Sequence, residues 1–225
     1  MLSPTFSFFP ASTPGKIAGT LTGSVCVSVF HRDMYVKILR TGGWSYHTFN
    51  TDEKRYYPTE SFAWTCFMIR TQCFRNINMD DEIPWIEKYG YAMGDDRVMS
   101  YKLVKRSYKA CIVSNALYDH NDAKTSTSSQ EMVNTKPSFC MGFFHVLFWK
   151  RFILDLETSW ICKIADWICF TYWLVAMFGY HCLKSLKKHN RSISKAFFKG
   201  IHEGLGFMRT REFKSLPDVN PQQTR

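Results

Sequence analysis

The polar and apolar positions between residues 95 and 105 follow the period of a helix. Val98, Tyr101 and Val104 recur at three-residue steps directly after two adjacent acids, Asp95 and Asp96. Residues at this spacing share one helix face, and acids in the first turn interact favourably with the helix dipole. The pattern therefore predicts a helix that starts at the acid pair.

Short runs of β-prone residues lie on both sides of this helix. Valines alternate over 25–29, an apolar run covers 66–70, and a third run covers 110–113. Such alternating or short apolar runs are typical of strands. A glycine pair at 42–43 predicts a hairpin turn. Strands and helix together predict an α/β structure over residues 25–136.

The composition changes after residue 136. Residues 139–149 are strongly apolar, and residues 167–180 form an uncharged apolar run of 14 residues. A helix that crosses a bilayer needs roughly 20 apolar residues, so we expect a pair of helices that lie in the membrane interface. The alternative is a helical hairpin packed on the protein core. A basic cluster that would meet anionic lipid follows the second run, at Lys184, Lys187, Lys188 and Arg191.

The sequence pattern of residues 195–204 predicts a basic amphipathic helix that is interrupted by glycines. The residues at 212–217 end this helical part of the chain. The expected organisation therefore has four parts. They are an irregular segment at 1–24, the α/β region at 25–136, a membrane-associated helical region at 137–217 and a disordered tail at 218–225.

Charge and cysteine content narrow the class of protein. The net charge is 29 − 19 = +10, which indicates an anionic partner such as a phosphate-bearing substrate, an acidic lipid or nucleic acid. Nucleic acid is not expected, because the chain carries no motif typical of nucleic-acid readers. Eight cysteines occur without a Cys-x-x-Cys pair. That pattern argues against a disulfide framework or a zinc finger and favours reduced thiols in the cytosol.

Two kinds of residue have both a structural and a chemical interpretation. The acid pair Asp95–Asp96 could cap a helix, or one carboxylate could accept a proton from a hydroxyl while its neighbour raises its pKa. His120, after the run at 110–113, could lie at the surface or contribute one ligand to a metal site. Spacing alone does not decide between these interpretations.

The order of these features resembles the catalytic domain of family 2 glycosyltransferases over residues 35–215. An acid pair precedes Lys102 by six residues, and a basic turn, an apolar strand and a histidine follow. The likeness extends to a bacterial branch with Trp-x-x-Lys-x-Gly-Tyr-Ala before the acids and His-x-Asp-Ala after the strand. The matching residues are Trp85, Lys88, Gly90, Tyr91, Ala92, His120, Asp122 and Ala123. Ser107 departs from the pattern, because the family usually has glycine there.

The resemblance implies the acceptor-side half of a GT-A fold, followed by hydrophobic and amphipathic helices. It implies that Asp96 is the catalytic base, that Asp95 is the neighbouring acid and that His120 binds a divalent cation, Mg²⁺ or Mn²⁺. Trp64, Trp85 and Tyr91 would contact the acceptor. The family's Asp-x-Asp metal ligands do not occur in this chain, so the resemblance places the nucleotide-binding half upstream of Met1.

The function expected from this resemblance is inverting transfer of a sugar from a nucleotide-sugar to a saccharide or lipid-linked saccharide. The reaction would belong to surface-polysaccharide biosynthesis at the cytoplasmic face of the membrane. The opposing expectation is a non-catalytic, basic, membrane-peripheral protein, either a truncated remnant or an adaptor.

Overall fold

The computed structural model describes residues 34–46, 54–62, 66–91, 93–116, 130–186 and 191–219. These residues form a mostly helical structure with two small sheets, which confirms the mixed α/β class. The predicted strand at 25–29 lies outside the described residues, as do Trp64, Ala92, His120, Asp122, Ala123, Lys187 and Lys188.

The first sheet is the predicted hairpin. Strands β1 (Val36–Ile38) and β2 (Trp44–Tyr46) pair antiparallel. Gly42 adopts a φ of +78° in the connecting turn, a conformation that glycine reaches without strain. A Cβ at Gly42 would also lie 2.9 Å from Cβ of Trp149. The glycine therefore serves both the turn and its close approach to a later part of the chain.

The second sheet joins distant segments. Strand β3 (Tyr56–Thr59) pairs antiparallel with β4 (Ala110–Val113), which confirms the strand predicted at 110–113. The strand predicted at 66–70 is wrong, because that segment is irregular and Phe67 and Met68 are exposed. None of the described strands pairs with this segment, and apolar composition alone does not supply a partner strand.

Three short helical segments lead to the predicted central helix. They are α1 (Thr71–Asn76), a 3₁₀ turn (Met79–Asp81) and α2 (Ile83–Ile86). Helix α3 (Asp95–Lys105) starts at the acid pair, as predicted. Its first turn is acidic and its last turn contains Lys102 and Lys105, so both ends complement the helix dipole.

Four helices, the first extended by a π-helical turn, follow in the described part of the chain after residue 129. Helix α4 (Gln130–Phe148) continues through a π-helical turn at Trp149–Leu154, and α5 is Trp160–Ser185. Helices α6 (Arg191–Phe207) and α7 (Arg211–Lys214) follow.

Glycines make the contact between α4 and α6 close. A Cβ at Gly142 would lie 2.2 Å from the Phe197 carbonyl oxygen, and one at Gly200 would lie 2.0 Å from that of Phe139. The predicted interruption of α6 by glycines is therefore wrong. The helix passes through them, and the missing side chains let two backbones meet.

Helix α4 contributes to two adjoining cores. One contains Trp85 and Val98 from the α/β region together with Phe144 of α4 and, near the end of the described residues, Val219. The other contains Trp149, Phe170, Trp173, Phe197 and Ile201. The regions predicted on either side of residue 136 therefore share a core.

Candidate functional site

The acid pair occupies the first turn of α3, directly after Gly94. Gly94 is the N-cap residue, with a φ of +77°, and a Cβ there would lie 2.3 Å from the Phe144 ring. Asp95 Oδ1 accepts a hydrogen bond from Asp96 N at 2.9 Å, and Asp96 Oδ1 accepts one from Arg97 N at 2.7 Å. The carboxylates thus satisfy amides that a helix start leaves without partners. The capping position itself belongs to glycine rather than to an acid.

Burial changes the acidity of the Asp96 carboxyl. Desolvation raises the pKa of its carboxyl above the usual value, the charge of Asp95 adds to this effect, and Arg97 opposes it. A carboxylate that holds a proton more readily than usual is better suited to act as a general base. The sequence interpretation expected the neighbouring acid to raise this pKa, whereas burial is the main cause. The catalytic role of Asp96 stays a prediction.

Arg97 connects the acid pair to the first hairpin. Its guanidinium lies 3.5 Å from the centroid of the Trp44 ring, and Nη1 donates a hydrogen bond to the Gly42 carbonyl oxygen at 3.1 Å. The side chain is buried, so the cation–π contact is largely desolvated. Arg97 therefore holds the start of α3 against β1 and β2.

An open cleft of about 340 Å³ lies beside Asp95. Carboxylates and one guanidinium share its lining with apolar side chains. The lining residues are Phe74, Arg75, Asn78, Met79, Asp80, Ile83, Ile86, Glu87 and Asp95. Asp96 is not among them. Sequence reasoning missed Arg75 and Glu87, although the density of acids after residue 79 was a usable signal.

The predicted acceptor residues occupy different environments. Trp85 is 1% exposed, its ring stacks on Phe144 at 5.6 Å, and Nε1 donates a hydrogen bond to Glu82 at 2.8 Å. Tyr91 is exposed on the segment before α3. Neither lines the cleft, and Trp64 lies outside the described residues. The acceptor roles of all three remain predictions.

A buried ionic cluster supports the segment that carries the cleft. The Glu82 carboxylate is fully buried and accepts hydrogen bonds from Lys102 Nζ at 2.9 Å and from Arg151 Nε at 2.6 Å. Burial alone would raise the pKa of Glu82, but the two cations and the Trp85 indole hold it below its usual value. Arg151 also donates to the Pro217 carbonyl oxygen at 2.6 Å. The cluster thus joins α3, the π-helical turn and the chain after α7, a role that sequence reasoning did not anticipate.

The described residues do not fit a divalent cation. No three His, Cys, Asp or Glu side chains come together among them as a possible metal site. Mg²⁺ and Mn²⁺ need several oxygen ligands. The predicted ligand His120 lies outside the described residues.

One face of α5 is apolar and exposed. We call it the outward face, and it carries Trp160, Ile161, Ile164, Trp167, Ile168, Val175, Phe178 and Leu183. The opposite face carries the buried residues Asp166, Phe170, Trp173, Met177 and His181. None of the positions that helical spacing assigns to the middle of the outward face is an Asp, Glu, Lys or Arg.

Helix α5 is the one described helix long and apolar enough to cross a membrane. Its 26 residues reach a mean hydropathy of 1.5 in the most apolar window, and only 22% of that window is buried. A core helix of a soluble protein would be mostly buried. The low burial leaves the apolar surface of α5 exposed, which is compatible with the membrane association predicted for this part of the chain. The prediction of a second interfacial helix is wrong, because the run at 139–149 belongs to α4 and its π-helical continuation and is mostly buried in the core.

Comparisons with protein-family models, with curated proteins and with solved structures found no match.

Proposed function

We propose that this chain is a membrane-peripheral protein that docks on lipid through the outward face of α5. The observation that carries the proposal is the run of exposed apolar side chains along this helix. At about 1.5 Å per residue, 26 residues extend about 39 Å. Exposed apolar surface of this extent is typical of sites that contact a membrane or another protein.

Two further observations favour lipid over a second protein copy. Tryptophan is the first residue of α5, and Trp167 also lies on its outward face; tryptophan favours the headgroup level of a bilayer. The chain also has a net charge of +10, which attracts it to anionic membranes. The opposite face of α5 remains packed on the protein, so the helix would lie in the interface with half of its circumference in lipid.

Sedimentation with phosphatidylcholine vesicles tests the docking surface. Ile168 and Val175 are each 65% exposed on the outward face, and replacing both with Gln removes about 2 kcal/mol of apolar burial in lipid. The partition coefficient calculated from the membrane-bound fraction should then fall about 30-fold. The control replaces Met68 and Ile83, which are exposed elsewhere, with Gln. An equal loss of vesicle binding in both variants would contradict the proposal. So would a stable dimer of the original chain that does not bind vesicles.

Sugar transfer is the second candidate, and the cleft beside Asp95 is the observation that favours it. In this candidate the α/β region is the acceptor-side half of a GT-A domain. Asp95, which lines the cleft, would position the acceptor there. Asp96 lies outside the lining, so the acceptor hydroxyl would have to extend beyond the cleft for Asp96 to take its proton as the sugar leaves the nucleotide diphosphate. The raised pKa of Asp96 supports the last role.

Transfer assays with nucleotide-sugars and an extract of lipid-linked saccharides test this candidate in a protein to which a nucleotide-binding half has been added, because the resemblance covers only the acceptor-side half. Asp96→Asn should lower kcat by about 10²- to 10⁴-fold while the unfolding midpoint stays unchanged. Asp95→Asn should mainly raise KM for the acceptor, because a positioning group acts on binding. The absence of transfer from every donor, or activity of Asp96→Asn within a few-fold of the original chain, would contradict the assignment.

A further inference from the structure

Helix α6 carries a basic stripe on its exposed side. Arg191, Lys195, Lys199 and His202 follow one another at steps of three or four residues, and all are exposed. Residues at these steps lie on one helix face. The opposite face holds Ser194, Phe197, Gly200, Ile201 and Gly204, which are buried. The stripe thus faces away from the protein along most of the helix.

The cations in the middle of the stripe have no acidic partner within the part of the chain that the structure describes. Neither Lys195 nor Lys199 forms a salt bridge there. The nearby acids have other partners: Glu203 accepts a hydrogen bond from Tyr89 at 3.1 Å, and Glu212 pairs with Lys88 at 2.9 Å. No described ion pair therefore fixes Lys195 or Lys199 against the protein.

The stripe borders the outward face of α5. Phe178, which is 60% exposed on that face, contacts Phe198 of α6 with ring centroids 5.8 Å apart. Phe198 follows Lys195 by three residues and precedes His202 by four, so it is a surface neighbour of both. His181 and Ser194 join the same two helices by a buried 3.0 Å hydrogen bond. A flat surface that meets the outward face of α5 can therefore also reach the stripe.

We propose that the basic stripe of α6 binds the phosphate groups of anionic lipids while α5 lies in the membrane interface. The inference rests on the proposed docking through α5 and adds the kind of lipid that the protein selects. Lys and Arg near a membrane surface attract anionic headgroups over about one Debye length. Apolar insertion supplies affinity for any bilayer, and the stripe supplies the preference for negative charge.

Vesicle binding by the full chain tests the two surfaces separately. The vesicles contain phosphatidylcholine alone or with added phosphatidylserine. Lys195→Gln with Lys199→Gln should weaken binding to the anionic vesicles by about 10- to 30-fold in roughly 0.1 M salt and leave binding to neutral vesicles unchanged. In roughly 1 M salt the difference should disappear.

The control variant replaces Lys54 and Lys109, exposed residues beside β3 and β4, with Gln. It removes the same charge and should weaken anionic binding less than two- to three-fold, because it leaves the stripe intact. Equal weakening by control and stripe variants would mean that only net charge matters and would overturn the inference. So would a stripe variant that loses affinity for single-stranded DNA but not for anionic vesicles.

The two proposals fail in different ways. If α5 does not dock, the original chain will not bind neutral vesicles at either salt concentration. If the stripe does not recognise anionic lipid, the stripe variant will bind anionic vesicles as tightly as the original chain does. The two proteins will also bind neutral vesicles equally. Circular dichroism spectra of the variants should match that of the original chain, since Lys195 and Lys199 are exposed.

Discussion

Glu82 shows how one residue can hold distant parts of this chain together. Glu82→Gln would keep the shape of the side chain but would leave Lys102 and Arg151 buried without a counter-charge. Breaking a buried ion pair from one side typically costs about 3–5 kcal/mol. We therefore expect urea denaturation to show a loss of that order in the free energy of unfolding.

The exposed pair between Lys88 and Glu212 provides the control for this prediction. Its atoms are 2.9 Å apart, but the Glu212 side chain is largely exposed. Surface pairs contribute about 0–1 kcal/mol, so Glu212→Gln should hardly change stability. Equal effects of the two substitutions would show that the Glu82 cluster is open to water.

His145 makes stability depend on pH. Its ring stacks on Trp173 at 3.6 Å, and Nε2 donates a hydrogen bond to the Thr41 carbonyl oxygen at 2.8 Å. Burial, together with the nearby charge of Arg97, lowers the pKa of His145 from 6.5 to about 3. The folded state therefore binds the proton less readily than the unfolded state. The stabilisation from the neutral ring is fully present above pH 6.5 and is lost as the pH falls towards 3.

Urea midpoints measured between pH 7 and pH 4 test this dependence. Below pH 6.5 the original chain should lose up to about 1.4 kcal/mol per pH unit from this residue, and His145→Gln should lack that part of the slope. His181 is also buried, and burial lowers its pKa to about 4. Because His181 is present in both proteins, the difference between their slopes isolates His145. Parallel profiles would contradict the assignment.

At the scale of elements, the contact between α4 and α6 depends on the absence of side chains. Gly200→Ala would bring a Cβ to 2.0 Å from the Phe139 carbonyl oxygen, so the helices would have to separate. Overpacking of this kind typically costs about 1–3 kcal/mol. Gly206 lies in the same helix, and among the described residues no atom outside its own stretch of helix lies within 4 Å of a Cβ placed there. Gly206→Ala should raise helix propensity and stabilise the protein by up to about 1 kcal/mol.

Thermal denaturation of these two single variants checks the opposite signs. Both substitutions add one methyl group to the same helix, so the gain in intrinsic helix propensity is the same for both. Destabilisation by Gly206→Ala, or stabilisation by Gly200→Ala, would contradict the close α4–α6 contact.

Local signals predicted some elements and not others. The acids, the helical spacing and the terminal lysines of α3 are all in one short segment, so its sequence was sufficient. The run at 66–70 has equally strong local preferences but no strand partner, which only the tertiary structure reveals. The glycines of α6 predict breaks because glycine has a low helix propensity, whereas their role in close packing depends on α4, more than fifty residues earlier.

At the scale of the whole molecule, the candidate sites could be predicted only in part. The sequence indicated the acid pair and the apolar run of α5, since each is contiguous. The Glu82 cluster joins residues 82, 102 and 151, and the cleft joins residues from α1 to α3. Burial of a charge depends on how all these segments pack together. The spacing of residues along the sequence does not predict that packing.

The packing of α5 indicates how the whole molecule would meet a membrane. Its inner face buries Asp166, which is 2.7 Å from Arg40 Nη1. Helix α6 packs beside α5, and its exposed Lys195 and Lys199 border the outward face at the contact between Phe178 and Phe198. If α5 crossed the bilayer, these charged neighbours would be drawn towards the hydrocarbon, where each costs several kcal/mol. We therefore expect α5 to lie parallel to the membrane, with both of its ends on the same side.

Labelling of lysines on vesicle-bound protein tests this orientation. Lys163 and Lys184 lie near opposite ends of α5, and 184 − 163 = 21 residues correspond to about 32 Å, close to the thickness of the bilayer core. A membrane-impermeant amine reagent added outside should modify both lysines when α5 lies in the interface, as mass spectrometry of the peptides would show. A helix that spans the bilayer would protect one of them until detergent opens the vesicles. Lys102, which is 3% exposed, should stay unmodified in either case while the protein is folded, and it reports whether the fold survives docking.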